Sequence, residues 1–168
     1  KGRLTVEKFQ QFIDILTPSM DDYLYIYDLQ GDCYCISPNA LERFPLERSC
    51  FNDVVGQLRK LVYPADFEAL NAEVEQIKRK EKKFHNMQYR WVDQEGKAIW
   101  INCRGSVLLD DLGEPEFLVG CINEIGMSQK ADNTTGLLGE TSLRAELSKY
   151  EKEQKRGYML RIGVDNFK

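Results

Sequence analysis

The stretch that decides the fold is FHNMQYRWVDQEGKAIWINCRGSVLLDDLGEPEFLVGCINEI, residues 84–125. β-Branched and aromatic residues cluster there in three runs, which predict three β-strands. Polar turn residues separate the runs at 93–96 and 110–113. Each turn ends in a glycine, Gly96 or Gly113, and glycine adopts the positive φ that closing a hairpin demands. The stretch therefore predicts an antiparallel meander.

The N-terminal residues 4–16 predict an amphipathic helix, with Thr5 as a candidate N-cap. Its apolar positions recur every three to four residues, at Val6, Phe9, Ile13 and Leu16, with Phe12 beside them. Such a stripe can cover an open sheet face, or it can pair with its twin in a dimer. The sequence leaves both roles open.

Two more strands are predicted at residues 22–29 and 32–37, joined by a turn at Gln30-Gly31. The first strand alternates Tyr23, Tyr25 and Tyr27 with Leu24 and Ile26. We interpret the tyrosine row as sheet surface beneath the N-terminal helix, in preference to the wall of a ligand site. A long helix is then predicted to begin at residues 63–66, with Phe67, Leu70, Val74 and Ile77 on one side.

Several motifs together resemble a PAS domain of the type common in bacterial sensors. They are Tyr89-Arg90-Trp91, Gly96, Trp100, Arg104-Gly105, Gly113, Val119-Gly120 and Glu124-Ile125. Tyr63-Pro64-Ala65-Asp66 is also similar to the His-Pro-x-Asp start of the long PAS helix, with tyrosine replacing histidine. The resemblance implies an α+β PAS fold, in which a five-stranded antiparallel sheet carries helices on one face and follows an N-terminal helix.

The end of the predicted sheet is the candidate point of signal transmission. PAS sensors often finish there with Asp-Ile-Thr, whose acid and hydroxyl pass the signal onward. This chain has Glu124-Ile125-Gly126 instead. The resemblance therefore implies that Glu124 and Ile125 transmit the signal, while Gly126 supplies no hydroxyl.

A candidate sensory pocket follows from the same resemblance, because PAS domains enclose a cavity between the sheet and the long helix. Its candidate residues share strand faces: Met87, Tyr89 and Trp91 on one strand, with Ile99, Ile101 and Cys103 on the next. Alternation does not say which faces point toward the helices. Two interpretations stay open, since these side chains can fill the space or can line a pocket for a small organic ligand.

No cofactor is expected in this chain. A haem PAS sensor needs an axial ligand, and the one histidine, His85, opens a strand instead of lying in the long helix. A flavin sensor needs a reactive cysteine in a Gly-x-Asn-Cys-Arg-like motif, which the surroundings of Cys50 lack. The five cysteines are odd in number and form no Cys-x-x-Cys, which favours reduced, half-buried thiols over disulfides or a thiolate metal site. A haem, flavin or redox sensor remains an alternative.

The last segment, residues 131–168, resembles the beginning of a GGDEF domain, the family that condenses two GTP into cyclic di-GMP. Residues 132–138, DNTTGLL, are similar to its opening signature, and residues 163–168, GVDNFK, to its Asp-x-Asp-x-Phe-Lys motif. Gly163 replaces an aspartate that binds the catalytic magnesium in that family, and glycine offers no carboxylate oxygen. The expected domain is therefore degenerate, with Asn166, Phe167 and Lys168 as remnant phosphate contacts. GTP and magnesium are expected only for a complete, active parent.

The chain is predicted to divide into an N-terminal helix (1–19), a PAS sensor domain (20–126), a linker (127–130) and the GGDEF-like segment (131–168). It has 168 residues, a net charge of -4 and a pI near 5.2, which argue against a nucleic-acid partner. No apolar run approaches the roughly 20 residues of a membrane span. Because the chain starts at Lys1 without Met, we expect a fragment of a longer protein.

These observations predict a cytoplasmic sensory module that regulates cyclic di-GMP signalling and is not itself an enzyme. Its expected partner is a second copy, bound through the PAS domain and the N-terminal helix, and a small-molecule ligand is possible. The alternative from a different class is the sensor region of an active diguanylate cyclase.

Overall fold

The structure is a computed structural model that describes residues 4–125 and, beyond them, Tyr150. Contacts divide the chain into two units, Lys1–Ile125 and Gly126–Lys168, and every element below belongs to the first. The predictions for the linker, for the GGDEF-like segment and for Asn166, Phe167 and Lys168 lie outside the described residues. Within the part that is described, no helix is both long and apolar enough to cross a membrane.

One antiparallel sheet organises the described residues, with the strand order β3-β2-β1-β6-β5-β4. Its strands are β1 (Tyr23–Asp28), β2 (Cys33–Ile36), β3 (Cys50–Asn52), β4 (Phe84–Val92), β5 (Ala98–Leu109) and β6 (Pro115–Glu124). The helices are α1 (Val6–Leu16), α2 (Asn39–Arg43), α3 (Val54–Leu61) and α4 (Pro64–Lys78), and a 3-10 turn covers Thr17–Ser19. The predicted α+β fold with one antiparallel sheet is confirmed, and the short edge strand β3 is an addition to the five expected strands.

The predicted meander forms β4, β5 and β6. Gly96 and Gly113 both have φ 78°, in the left-handed region that glycine adopts without strain. The side chain of Asp93 closes the first turn, because its Oδ1 accepts hydrogen bonds from the amides of Glu95 and Lys97 at 3.0 and 2.8 Å. Local turn chemistry thus sets the register of these strands.

The sheet has a front face, which carries α2, α3 and α4, and a back face, which carries α1. Tyr23, Tyr25 and Tyr27 lie in the front-face core, whereas Ile26 lies beneath α1. The interpretation of the tyrosine row as surface under the N-terminal helix is therefore wrong. Alternation places residues on a common face but does not say which layer covers it.

Helix α1 covers part of the back face, one of the two roles that the sequence left open. Thr5 caps it, since its hydroxyl accepts a hydrogen bond from the amide of Lys8 at 3.3 Å. Val6 and Phe9 pack against the cluster that contains Ile26. Phe12 on the same helix is 60% exposed, so the stripe is only partly covered by this sheet.

The cysteines do not all remain thiols. Cys35 and Cys50 form a disulfide, while Cys33, Cys103 and Cys121 are free. The prediction of reduced cysteines is thus wrong for one pair. The error arises at strand β3. Its three residues are too few to show alternation, and the strand places Cys50 directly opposite Cys35 on β2.

Candidate functional site

A small cavity lies on the front face between the sheet and helix α4. The volume available to the centre of a water-sized sphere is about 20 Å³. This space suffices for about one water molecule. Its polar lining consists of Tyr25, Tyr27, Tyr34, His85, Tyr89 and Cys103, and its apolar lining consists of Leu58, Leu70, Val74 and Leu118.

The residues of the predicted sensory pocket all belong to the front-face core. They are Met87, Tyr89, Trp91, Ile99, Ile101 and Cys103. Of these six, Tyr89 and Cys103 line the cavity. Trp91 packs instead against Phe44 with ring centroids 4.9 Å apart, and Ile101 is also fully buried. Side chains fill most of the space in this core, and a ligand-binding role for the six residues stays a prediction.

Sequence reasoning missed most of the cavity's polar lining. Tyr25, Tyr27 and Tyr34 come from β1 and β2, where Tyr27 is directly opposite Tyr34 and the rings of Tyr25 and Tyr34 stack at 5.4 Å. The tyrosine row was the available signal. Alternation does not show that this row faces the helices of the front face, so the sequence predicts the cavity on β4 and β5 alone.

The polar groups around the cavity are neutral near pH 7. Burial raises the pKa of Tyr25, Tyr34 and Tyr89 well above their usual values. Burial also raises the pKa of the Cys103 thiol to about 12. The surface that faces the cavity is mostly apolar and carries no charge, so it suits a small neutral occupant better than an ion.

The hydroxyl of Tyr25 is the unsatisfied group of this cavity. It is buried and interacts only weakly with the Cys103 thiol, without a well-formed hydrogen bond among the described residues. It fits into the sheet over Gly105, where an added Cβ would overlap the Tyr25 oxygen. A buried hydroxyl without a partner costs free energy, so an occupant that accepts or donates a hydrogen bond there is favoured.

His85 connects the cavity to helix α4. Its Nδ1 lies 3.1 Å from Oε1 of Glu73, whose other oxygen accepts a hydrogen bond from Lys82 at 2.8 Å. Burial lowers the pKa of His85, although Glu73 opposes the effect. Because a carboxylate only accepts hydrogen bonds, Nδ1 carries the proton of the neutral ring. Nε2 is then the acceptor of the imidazole.

The chain has one histidine, and its burial predicts how the free energy of unfolding depends on pH. Unfolded His85 binds a proton near pH 6.5, whereas the buried ring resists protonation to lower pH. The free energy of unfolding should therefore fall as the pH drops from about 7 to about 5, by at most about 1.4 kcal/mol per pH unit. Urea unfolding across this range measures the slope.

The matched control is His85→Gln, which removes the titrating group. Carboxylates whose pKa is lowered in the folded chain, such as Asp66 beside Arg90, contribute stability that is lost in a more acidic range, below about pH 5. The variant should thus be flat between pH 5 and 7 and still unfold in acid. An unchanged slope in His85→Gln would contradict the assignment.

Glu124, the predicted transmission residue, ends β6 inside a cluster of polar side chains. Its Oε1 accepts hydrogen bonds from the Tyr23 hydroxyl at 2.8 Å and from Arg43 Nε at 3.0 Å. Arg43 also donates from Nη1 to Asp93 at 3.2 Å. The carboxylate of Glu124 therefore links the last strand to β1, to helix α2 and to the first turn of the meander.

The chain leaves the sheet directly after this cluster. The amide of Ile125 donates to the carbonyl of Trp100 at 2.8 Å, and the Ile125 side chain is partly exposed. Along β6, Leu118 lines the cavity and Glu124 lies on the same front face six residues later. One rigid strand thus runs from the cavity to the point where the sheet ends.

The described residues thus form one antiparallel sheet with a small cavity beneath its helices and a charged cluster where the sheet ends. A family model described as PAS fold matches residues 36–122, which is more than half of the chain. The chain belongs to the PAS family. Domains of this kind are typically non-catalytic.

Solved structures share this fold. A sensory box histidine kinase/response regulator from Burkholderia thailandensis aligns with TM-score 0.53 and 16% identity, covering 82% of this chain and 96% of that one. The N-terminal domain of a diguanylate cyclase with PAS/PAC sensor from Marinobacter aquaeolei aligns with TM-score 0.52 and 23% identity, covering 64% and 97%. A PAS domain from Colwellia psychrerythraea aligns with TM-score 0.51 and 16% identity, covering 73% and 98%. Among curated proteins, none matches this chain.

Proposed function

We propose that this chain is a cytoplasmic PAS sensory and dimerisation module that regulates cyclic di-GMP signalling through the GGDEF-like segment at residues 131–168. The observation that carries the proposal is the cluster around Glu124, because it ties the exit of the sheet to three other elements just before that segment begins. Sensors of histidine kinases and of a diguanylate cyclase share the fold, which is compatible with this role.

The signal is proposed to start at the front-face cavity. A small neutral ligand that hydrogen-bonds to the Tyr25 hydroxyl needs more room than about 20 Å³, so its entry displaces neighbouring side chains. Close-packed cores respond to such displacement by moving whole elements. Leu118 transfers the displacement to β6, and the hydrogen bonds of Glu124 then change.

The receiving domain is proposed to be degenerate. Gly163 replaces a family magnesium ligand, so the segment is proposed to regulate a cyclic di-GMP phosphodiesterase domain or to bind GTP through Asn166, Phe167 and Lys168. GTP and magnesium act as substrate and cofactor only if a complete parent is an active cyclase.

The dimer is proposed to form on the back face. Phe12 and Leu16 of α1 are exposed there beside Phe84 of β4, which is 69% exposed. Apolar side chains grouped in this way are typical of an interface between subunits. A second copy of α1 is the expected partner, and sedimentation of the chain measures this association.

Cyclic di-GMP measurement tests the proposed function. Cells that express a longer protein carrying this chain are compared with cells that express its Glu124→Gln variant. Because coupling between sites typically changes an equilibrium at least about fivefold, we expect a change of that size in cellular cyclic di-GMP. Glu95→Gln is the control, since it removes one negative charge from an exposed turn position.

The folded state needs a separate check, because Glu124→Gln breaks a partly buried ion pair at a cost of about 2 kcal/mol. If that variant unfolds, Tyr23→Phe removes one hydrogen bond of Glu124 and leaves both charges in place. An unchanged cyclic di-GMP level in the folded variants would contradict the proposal. Cyclic di-GMP made from GTP and magnesium by the purified protein would instead establish the active cyclase.

The cofactor alternative has its own optical test. The absorbance of the purified chain is recorded between 350 and 600 nm, a window that covers roughly the Soret and flavin bands. We expect no such band. A Soret or flavin band would replace the small-molecule proposal with a haem or flavin sensor.

A further inference from the structure

The back face of the sheet holds a redox-capable group that the proposed sensory function does not use. Cys35 and Cys50 are bonded there across strands β2 and β3, and Cys33 lies on the same face two residues from Cys35. The front-face cavity lies on the opposite side of the sheet. Any role of this disulfide is therefore separate from ligand binding in the cavity.

The two sulfurs of the bond differ in access. Cys35 is fully buried, whereas Cys50 is half-buried and lines a cleft at the edge of the sheet. The volume available in that cleft to the centre of a water-sized sphere is about 410 Å³. An attacking thiolate needs access to one sulfur of the bond, and the half-buried Cys50 is the more accessible of the two residues.

The charge of the cleft favours an anionic thiol. Arg48 and Lys60 line it together with one carboxylate, Glu47. Neither cation makes an ion pair within the described residues, so both are free to face an incoming anion. Glutathione is a thiol that carries two carboxylates and one ammonium, and it is small compared with this space.

The bond also supports helix α1. The apolar cluster under α1 contains both bonded cysteines together with Val6 and Phe9 of the helix. Gln10 of the helix places its Oε1 3.3 Å from the sulfur of Cys50. Strand β3 has only three residues and lies at the edge of the sheet, where the disulfide cross-links it to β2.

We propose that Cys35–Cys50 is a reversible thiol–disulfide site that exchanges at Cys50 with glutathione or a similar anionic thiol, and that its reduction loosens strand β3 and the packing of helix α1 on the sheet.

The exchange takes two steps, and atoms and electrons balance in each. A glutathione thiolate attacks the Cys50 sulfur, the Cys35–Cys50 bond breaks, and the Cys35 sulfur leaves with the electron pair and takes a proton. A second glutathione thiolate attacks the glutathione sulfur of the mixed disulfide and releases Cys50. The protein gains two electrons and two protons, and two glutathione molecules become one oxidised glutathione.

Cys33 is the neighbouring thiol that does not take part. Burial raises the pKa of Cys33, with Asp28 and Asp32 adding to the effect. Less thiolate is then present to attack the adjacent bond. Cys33→Ser is therefore the matched control for variants of the bonded pair.

The experiment uses the purified 168-residue chain in buffers that run from oxidised to reduced glutathione. Acid quenching, alkylation in denaturant and mass spectrometry count the thiols. We expect three alkylated cysteines in oxidised glutathione and all five in reduced glutathione, with the two new labels on Cys35 and Cys50. Cys33→Ser should keep the transition with one label fewer throughout, and Cys50→Ser should lose it.

Hydrogen exchange tests the structural consequence on the same samples. Amides of β3 and α1 should exchange about tenfold faster in the reduced chain, because the disulfide no longer restrains local opening there. Amides of β4 and β5 should keep their rates. If Cys50→Ser does not fold, the wild-type chain in the two buffers is sufficient for this comparison.

Three results would overturn the proposal. The bond could persist in reduced glutathione alone, which would make it a permanent structural link. It could fail to form in oxidised glutathione, which would leave no site. Equal exchange of α1 and β3 in the oxidised and reduced chains would remove the proposed effect on the fold.

Discussion

Replacing Trp91 with alanine should lower the free energy of unfolding by about 4 kcal/mol, the loss typical of a large aromatic removed from a core. Trp91 is fully buried and packs edge-on against Phe44. It also pairs with Val62, the residue that joins α3 to α4. The indole therefore connects β4 to the front-face helices, and its removal opens a void that rigid neighbours cannot fill.

The chain's other tryptophan is the matched control. Trp100 lies on the next strand but is 49% exposed, so Trp100→Ala should cost no more than about 1 kcal/mol. Urea unfolding followed by circular dichroism measures both variants. Similar losses for the two would show that the front-face core does not depend on Trp91. The comparison also tests stability separately from the cavity, which Trp91 does not line.

Gly120→Ala should destabilise the chain by about 3 kcal/mol through overpacking between β5 and β6. Gly120 lies directly opposite Gly105, and an added Cβ would overlap the carbonyl oxygen of Arg104. That oxygen belongs to the backbone of β5, so relief requires the two strands to separate. The missing side chain of Gly105 lets the Tyr25 hydroxyl enter the sheet there.

Gly56→Ala provides the control within the same chain. Gly56 lies in α3, and an added Cβ would meet the carboxylate of Asp53, a flexible group that can move away. Alanine is also favoured over glycine in a helix by about 1 kcal/mol. This variant should therefore unfold at the wild-type urea concentration or above. A wild-type midpoint for Gly120→Ala would contradict the close approach of the two strands.

The two proposed sites lie on opposite faces of the sheet. The neutral cavity and its unsatisfied Tyr25 hydroxyl lie on the front face, and the proposed redox pair Cys35–Cys50 lies under α1 on the back face. Strand β1 takes part in both layers, because its alternate residues face opposite sides. Strand β1 also pairs with β6, the strand that ends at Glu124.

The sites were less predictable than the fold. Arg43 lies 81 residues from Glu124, and nothing local marks them as partners. Cys50 looked like a free thiol because β3 is too short to show alternation. The tyrosine row was visible, yet its side of the sheet depended on which helix packed there.

By itself the sequence determined the meander, the capped N-terminal helix and the long helix, because turn glycines, a capping threonine and apolar periodicity act over a few neighbouring residues. Tertiary structure alone decided the front-face position of Tyr25, the Cys35–Cys50 bond and the partners of Glu124. Each of these depends on which distant segments come into contact. That choice is made by packing of the whole sheet against its helices, and not by any local pattern.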